Sequence, residues 1–265
     1  MERELDMNTA GNVLQNKTAL VTGASRGIGR SIAQRLASEG ALVAINYATN
    51  ELAARETLKS IEDKGGKGFL VHAALGTPES ADTLATVLEA ELIKRTGNSG
   101  LDILVNNVGG ALYANIEATT PDIYNKTFAD NVGAAFFVTK AVLARLREGG
   151  RVINISSVGS RLALEQLIAY SMSKAAVDVF TRALAKELGP RSITVNAVAP
   201  AFTATDAAAA DQNNPDTVKY VIAETALRRA FAKPEEVSEV VYNLATPGMG
   251  WVTGQIIEAS GGFRL

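Results

Sequence analysis

From Lys17 onward, short apolar runs alternate with longer segments of helical periodicity, and this alternation restricts the fold more than any other feature of the chain. Strand, helix, strand is the order of a parallel sheet covered on both faces by helices. The strand-like runs are Thr18 to Thr22, Ala41 to Tyr47, Lys67 to Ala73, Leu101 to Asn106, Arg151 to Ser156, Ser192 to Ala197 and Gln255 to Glu258. Several are continuously apolar, as strands buried on both faces are. The expected fold class is α/β, a doubly wound parallel sheet of about seven strands.

Helix boundaries are marked in the sequence. Thr77-Pro78-Glu79 and Thr120-Pro121-Asp122 each set a capping hydroxyl before a proline at the first helical position, with an acid following that suits the helix dipole. Leu188-Gly189-Pro190 reads as a helix stop, glycine taking the left-handed conformation. No linker divides the 265 residues, and 47% hydrophobic residues supply a large core, so residues 17–265 are expected to form a single domain. Met1 to Asn16 is polar and mixed in charge and reads as an N-terminal tail. The alanine-rich patch Ala204 to Ala210 reads as a mobile loop or a short helix.

Composition removes several classes of function. With no cysteine there is no disulfide, thiol nucleophile or cysteine-bound metal, and one histidine, His72, leaves no zinc pair and little scope for a serine-histidine hydrolase. His72 reads as a structural residue at a strand end. The net charge of −2, without long basic runs, argues against nucleic acid as a partner. The N-terminus lacks an apolar signal region and no apolar stretch of about 20 residues occurs, so a cytoplasmic protein is expected, off the membrane.

After the first strand comes Thr22-Gly23-Ala24-Ser25-Arg26-Gly27-Ile28-Gly29, and then Ile28, Ile32, Ala33 and Leu36 recur at helical spacing. Glycines between a strand and a helix let the backbone approach a pyrophosphate, which the helix N-terminus attracts. The arrangement points to a Rossmann-type dinucleotide site. An acid closing the second strand would accept bonds from the adenosine ribose of NAD. Here Ala41 to Asn50 holds no acid, the strand closes as Asn46-Tyr47-Ala48, and Arg26 lies in the glycine turn, which favours NADP(H).

Tyr170 and Lys174 are four apart in a helical segment and share one face. An ammonium beside a phenol stabilises the phenolate and brings its pKa toward the working range. Ser157 closes the strand Val152 to Ser157, at the edge where open α/β sheets bind ligands. Asn131 sits inside the helix that starts near Pro121, a costly position unless its amide is used.

Over about residues 17 to 262 the chain resembles the short-chain dehydrogenase/reductase family. The resemblance is carried by Thr22-Gly23-x3-Gly27-x-Gly29, Asn106-Asn107-Val108-Gly109, Tyr170-x3-Lys174 and Asn196-Ala197-Val198-Ala199-Pro200, in family order. It implies a catalytic tetrad of Asn131, Ser157, Tyr170 and Lys174 and direct hydride transfer without metal. In that scheme Tyr170 donates the proton, Ser157 orients the carbonyl, Lys174 holds the nicotinamide ribose and Asn131 supports a relay water. Implied cofactor contacts are Gly23, Ser25, Arg26, Gly27, Ile28, Gly29, Asn46, Tyr47, Ala48, Ala74, Leu75, Asn107, Gly109, Tyr170, Lys174, Pro200, Thr203 and Thr205. A homotetramer is implied as well.

Three positions depart from the family pattern. Val108 replaces alanine and adds bulk near the adenosine side, Ala201 replaces a glycine whose φ, if positive, would strain alanine, and Ala74 stands where an aspartate normally meets the adenine. Trp251 is expected to pack near the C-terminal strand at a subunit contact, or to close a neighbouring pocket.

The expected activity is NADPH-dependent reduction of a ketone to a secondary alcohol. Among family branches the chain looks most like 3-oxoacyl-(acyl-carrier-protein) reductases and polyhydroxynaphthalene reductases. An acidic acyl-carrier partner would want a basic rim, for which Arg145, Arg147 and Arg191 are candidates. A cyclic or aromatic ketone would instead use an apolar pocket of Leu162, Leu164, Leu167 and the loop beginning at Asp206. The same motifs are compatible with an NAD-dependent alcohol dehydrogenase and with a cofactor-sensing binding protein.

Overall fold

The structure, a computed structural model, describes residues 12–265. Seven strands, β1 (Thr18–Val21), β2 (Leu42–Tyr47), β3 (Lys67–His72), β4 (Leu101–Asn106), β5 (Leu146–Ile155), β6 (Thr194–Pro200) and β7 (Ile256–Ala259), form one sheet in the order 3-2-1-4-5-6-7. Every pairing is parallel. The chain reverses its winding between β1 and β4, which opens a crevice at their C-terminal ends.

The helices are α1 (Gly27–Ser38), α2 (Glu51–Glu62), α3 (Pro78–Thr96), α4 (Pro121–Phe128), α5 (Ala134–Val142), α6 (Ile168–Leu188), α7 (Ala209–Gln212), α8 (Pro215–Glu224) and α9 (Pro234–Ala245). Strand residues alternate between two cores. Val43 and Ile45 of β2 pack with α1 and α9, whereas Ala44 between them packs with α3, α5 and α6 on the other face. Burial of both faces is why the strands read as continuous apolar runs. Thr77 and Thr120 cap α3 and α4 as expected, accepting from Ser80 N at 3.3 Å and Ile123 N at 3.2 Å.

The structure corrects several boundaries. β5 starts at Leu146, five residues before the apolar run, because Leu146 pairs with Leu101 ahead of a bulge that the exposed Glu148-Gly149 sequence does not advertise. β6 runs on to Pro200. α6 does stop at Leu188, but Gly189 keeps φ −50 and enters a short 3₁₀ turn, so the left-handed residue is Ser192 at φ 55. The patch from Ala204 folds into a 3₁₀ turn over Asp206–Ala208 followed by α7.

The expected tail falls largely on residues 1–11, outside the described residues. Residues 12–16 do not behave as a tail. Leu14 is 1% exposed and joins the core beside α1, with its N–H donating to Glu39 O at 2.9 Å. Trp251 stands fully exposed on the single chain and closes no pocket within it. Leu14→Ala is expected to lower stability by about 2–4 kcal/mol in urea unfolding, the usual cost of a cavity at a fully buried leucine; a loss below about 0.5 kcal/mol would show that the segment is peripheral.

Candidate active site

The C-terminal ends of the strands border a groove of about 1430 Å³. At one end lies the glycine turn. α1 begins without a side-chain cap and with no acid in its first turn, so the N–H groups of its first residues face the groove unclaimed by side chains. At Gly29 a Cβ would collide with Gly23 O and stand 2.5 Å from Asn107 Nδ2. Only glycine permits this approach, and the result is a cradle open to a phosphate. Arg26, exposed beside it, forms no ion pair among the described residues. These residues fit a dinucleotide carrying an additional phosphate.

Three amides, the buried Asn46 and Asn131 and the half-buried Asn107, hold the turn and its neighbours. Asn46, 1% exposed, accepts from Gly23 N at 3.1 Å and donates to Val71 O and Ala73 O at 3.2 and 3.1 Å. Asn107 Nδ2 donates to Thr22 O at 2.9 Å and Gly23 O at 3.2 Å, and its N–H donates to Thr22 Oγ1 at 2.8 Å. Asn131 Nδ2 donates to Thr127 O at 2.9 Å and Gly110 O at 3.0 Å, while Oδ1 accepts from Gly110 N at 3.1 Å. The Asn131 side chain thereby fixes the loop after β4.

Asn131 is not in a plain α-helix. Between α4 and α5 the backbone widens into a π-turn over Ala129–Gly133. Such turns gather at functional sites because they re-aim a side chain within a continuous helix. Lysine chemistry follows one helix further on. Lys174 is 4% exposed and donates to Ile155 O at 2.8 Å, with Nζ 5.8 Å from the Tyr170 ring centre. Burial pushes its pKa down to about 8, with the Asp178 charge opposing the fall. For Tyr170, burial raises the pKa and the Ser157 hydroxyl works against it, so the phenol stays protonated at neutral pH. Ser157 Oγ also accepts from Gly159 N at 3.0 Å. The same hydroxyl lies against Tyr170. The arrangement can hold a carbonyl oxygen between Ser157 and Tyr170 and deliver a proton to it.

A family model described as enoyl-(acyl carrier protein) reductase matches residues 23–264. A crystal structure of the angucycline C-6 ketoreductase LanV with bound NADP is 42% identical, with TM-score 0.91, covering 97% of this chain and 98% of that one. Versicolorin reductase of Emericella nidulans is 34% identical across 94% of this chain and 96% of its own length. Hydroxynaphthalene reductase of Aspergillus fumigatus is 34% identical across 91% and 90%. The chain belongs to the short-chain dehydrogenase/reductase family.

In this short-chain dehydrogenase/reductase the groove brings together Gly23, Arg26, Gly27, Ile28, Gly29, Asn107, Gly109, Ser157, Tyr170, Lys174, Pro200, Thr203 and Thr205. Ser25, Asn46, Tyr47, Ala48, Ala74, Leu75 and Asn131 do not line it. Asn46 spends its amide inside the fold, bracing Gly23 against the end of β3. Tyr47 is buried against His72, whose Nε2 lies 2.8 Å from Ala48 O, the strand-end role expected of the histidine. Ser25 O serves as acceptor for Arg30 and Thr57. Ala201 is free of strain, its φ not being positive, and Val108 packs against the glycine turn.

Sequence reading missed Asp178 and Ser156. Ser156 Oγ donates to Asp178 Oδ1 at 2.5 Å, placing a buried carboxylate one helical turn beyond Lys174. The signal was the spacing Tyr170, Lys174, Asp178 along one face.

The lysine shift carries a stability consequence. The folded chain releases the Lys174 proton near pH 8 and the unfolded chain near the ordinary 10.5, so the unfolded state binds more protons between those values. Stability therefore rises with pH across that window. Lys174→Met is expected to raise stability by about 2 kcal/mol at pH 7, with the gain fading toward pH 10.5, even as activity is lost. Urea unfolding at pH 7 and pH 10 checks this; a variant less stable at both would show that the bond to Ile155 outweighs burial.

Proposed function

We infer that this protein is an NADP(H)-dependent ketoreductase whose substrate is a cyclic or aromatic ketone. The observation that carries the reading is the apolar stretch of the groove beside Tyr170, lined by Leu162, Leu164, Leu167 and Phe202. The relatives named for reducing angucycline, versicolorin and hydroxynaphthalene substrates support the same choice.

An acyl-carrier partner would lack its docking rim. Arg145 pairs with Glu89, Arg147 with Asp102 and Arg191 with Glu148. All three lie toward the N-terminal end of β5 or β6, on the order of 20 Å along the strand from Ser157. They are neutralised braces at the far edge of the sheet.

NADP(H) rests on Arg26 and on the lack of an acid at the end of β2. The glycine turn and α1 would hold the pyrophosphate, Lys174 the nicotinamide ribose, and Thr203 and Thr205 the carboxamide. When bound, the nicotinamide supplies the hydride. Ser157 donates to the carbonyl oxygen, orienting and polarising it, and Tyr170 gives that oxygen its proton. Asn131 keeps the loop over this site closed to slippage.

Initial rates of NADPH and NADH oxidation with a tricyclic ketone and with a 3-oxoacyl thioester test the reading. NADPH turnover of the ketone is expected, falling by ~10²-fold or more in Tyr170→Phe. Turnover of the thioester alone would return the acyl branch, and preference for NADH would overturn the charge argument. Cofactor binding with no carbonyl reduced would favour a sensing protein. Arg26→Ala is expected to lower kcat/KM for NADPH by about tenfold and to spare NADH, as loss of one phosphate-binding cation should.

A further inference from the structure

Across the mouth of the groove from Tyr170, two walls meet at one side-chain contact. Tyr113, on the loop after β4, donates from its hydroxyl to Asp211 Oδ2 of α7 at 3.3 Å. Both residues line the groove. The backbone beside Tyr113 is fixed, because buried Ala114 donates to Gln166 O at 2.8 Å and bridges to Leu167. α7 is tied in turn to the expected cofactor loop, with Gln212 Nε2 donating to Thr205 O at 2.9 Å. The Tyr113 ring itself remains 64% exposed, a large aromatic surface with no partner filling the space before it among the described residues.

Apart from the Tyr113 hydroxyl at 3.3 Å, the half-buried Asp211 carboxylate has no cation beside it, forming no ion pair with Lys or Arg among the described residues. It stands in the groove as an acceptor able to exchange one hydroxyl donor for another. Burial and the neighbouring Asp211 charge both keep the Tyr113 hydroxyl protonated, so it remains a donor.

We propose that Tyr113 and Asp211 determine substrate specificity, Tyr113 offering its ring face to a planar substrate and Asp211 leaving Tyr113 to accept a phenolic O–H from that substrate. This rests on the ring-ketone reading and narrows it to phenol-bearing aromatic ketones. A linear thioester has neither the flat face nor the hydroxyl. Planar stacking rewards the first and a charge-assisted hydrogen bond the second.

The test compares a hydroxytetralone with its methyl ether, which keeps the rings and removes the donor. With NADPH the wild type is expected to favour the phenol by about tenfold in kcat/KM, expressed in KM. Asp211→Ala should bring that ratio to near one, with Asp211→Asn between. Tyr113→Phe removes the competing donor and should lower KM for the phenol, a change that loss of a merely structural contact would not give. Tyr113→Ala should raise KM for both ketones about fivefold or more through loss of the ring face. Naphthol binding in the presence of NADP⁺, followed by its fluorescence, separates this proposal from the function beneath it. If neither ketone is reduced but naphthol binds in an Asp211-dependent way, the ketoreductase reading falls and the phenol site stands. If both ketones are reduced with a ratio that Asp211→Ala leaves within twofold, the phenol site falls and the ketoreductase stands. Neither turnover nor binding overturns both.

Discussion

The glycine turn is held from the side by amides, and the rest of the site depends on that bracing. A parallel sheet ends in loops whose backbone groups have lost their ladder partners, and a buried unpaired group costs about as much as a lost hydrogen bond. Asn46, Asn107 and Asn131 meet this requirement by bonding main-chain atoms of neighbouring segments. The turn after β1 is anchored to β2, β3 and the loop after β4. That same loop is anchored to the π-turn. The groove floor is therefore assembled from four separate chain segments with little freedom to move independently, which is what a dinucleotide and a hydride donor require of a scaffold.

Burial shapes the acid-base pair in a direction that suits reduction. It raises the Tyr170 phenol and lowers the Lys174 ammonium toward about 8, each moving toward its neutral form. A protonated phenol is the state needed to give a proton to a nascent alkoxide. The Asp178 carboxylate pulls the other way, and its bond from Ser156 keeps it in place one turn below the lysine. Charge on the lysine is thus a balance between low surrounding polarity and a single acid that does not line the groove.

Much of the architecture was legible in the sequence because it rests on short-range patterns. Continuous apolar runs gave the strands, Thr-Pro pairs gave two helix starts, and the spacing of Gly23, Gly27 and Gly29 between strand and helix gave the turn. Asn131, Ser157, Tyr170 and Lys174 were singled out by the same route, with the family resemblance assigning their expected roles. What escaped depends on long-range register. Whether Asn46 faces the groove or the fold is decided by pairing of β2 with β3, which no local pattern states. Arg145, Arg147 and Arg191, candidates for a basic rim, pair with acids from distant segments that no local pattern announces. Leu14 was lost in a polar stretch although a single leucine suffices to seal the end of a core.

The π-turn at Ala129–Gly133 has a bearing on how this region of the chain can change. It closes Ala134 N–H onto Ala129 O, five residues back, and so takes up one residue more than an α-turn within its own width. Removing one residue there would restore regular α-closure and leave α5 on its face, with Thr139 still receiving the Asn106 amide at 2.9 Å and Val138 and Val142 still in the core. The change would fall instead on Asn131, whose amide holds Gly110 from inside the turn. A length change of one codon here thus spares the fold and is felt at the loop after β4.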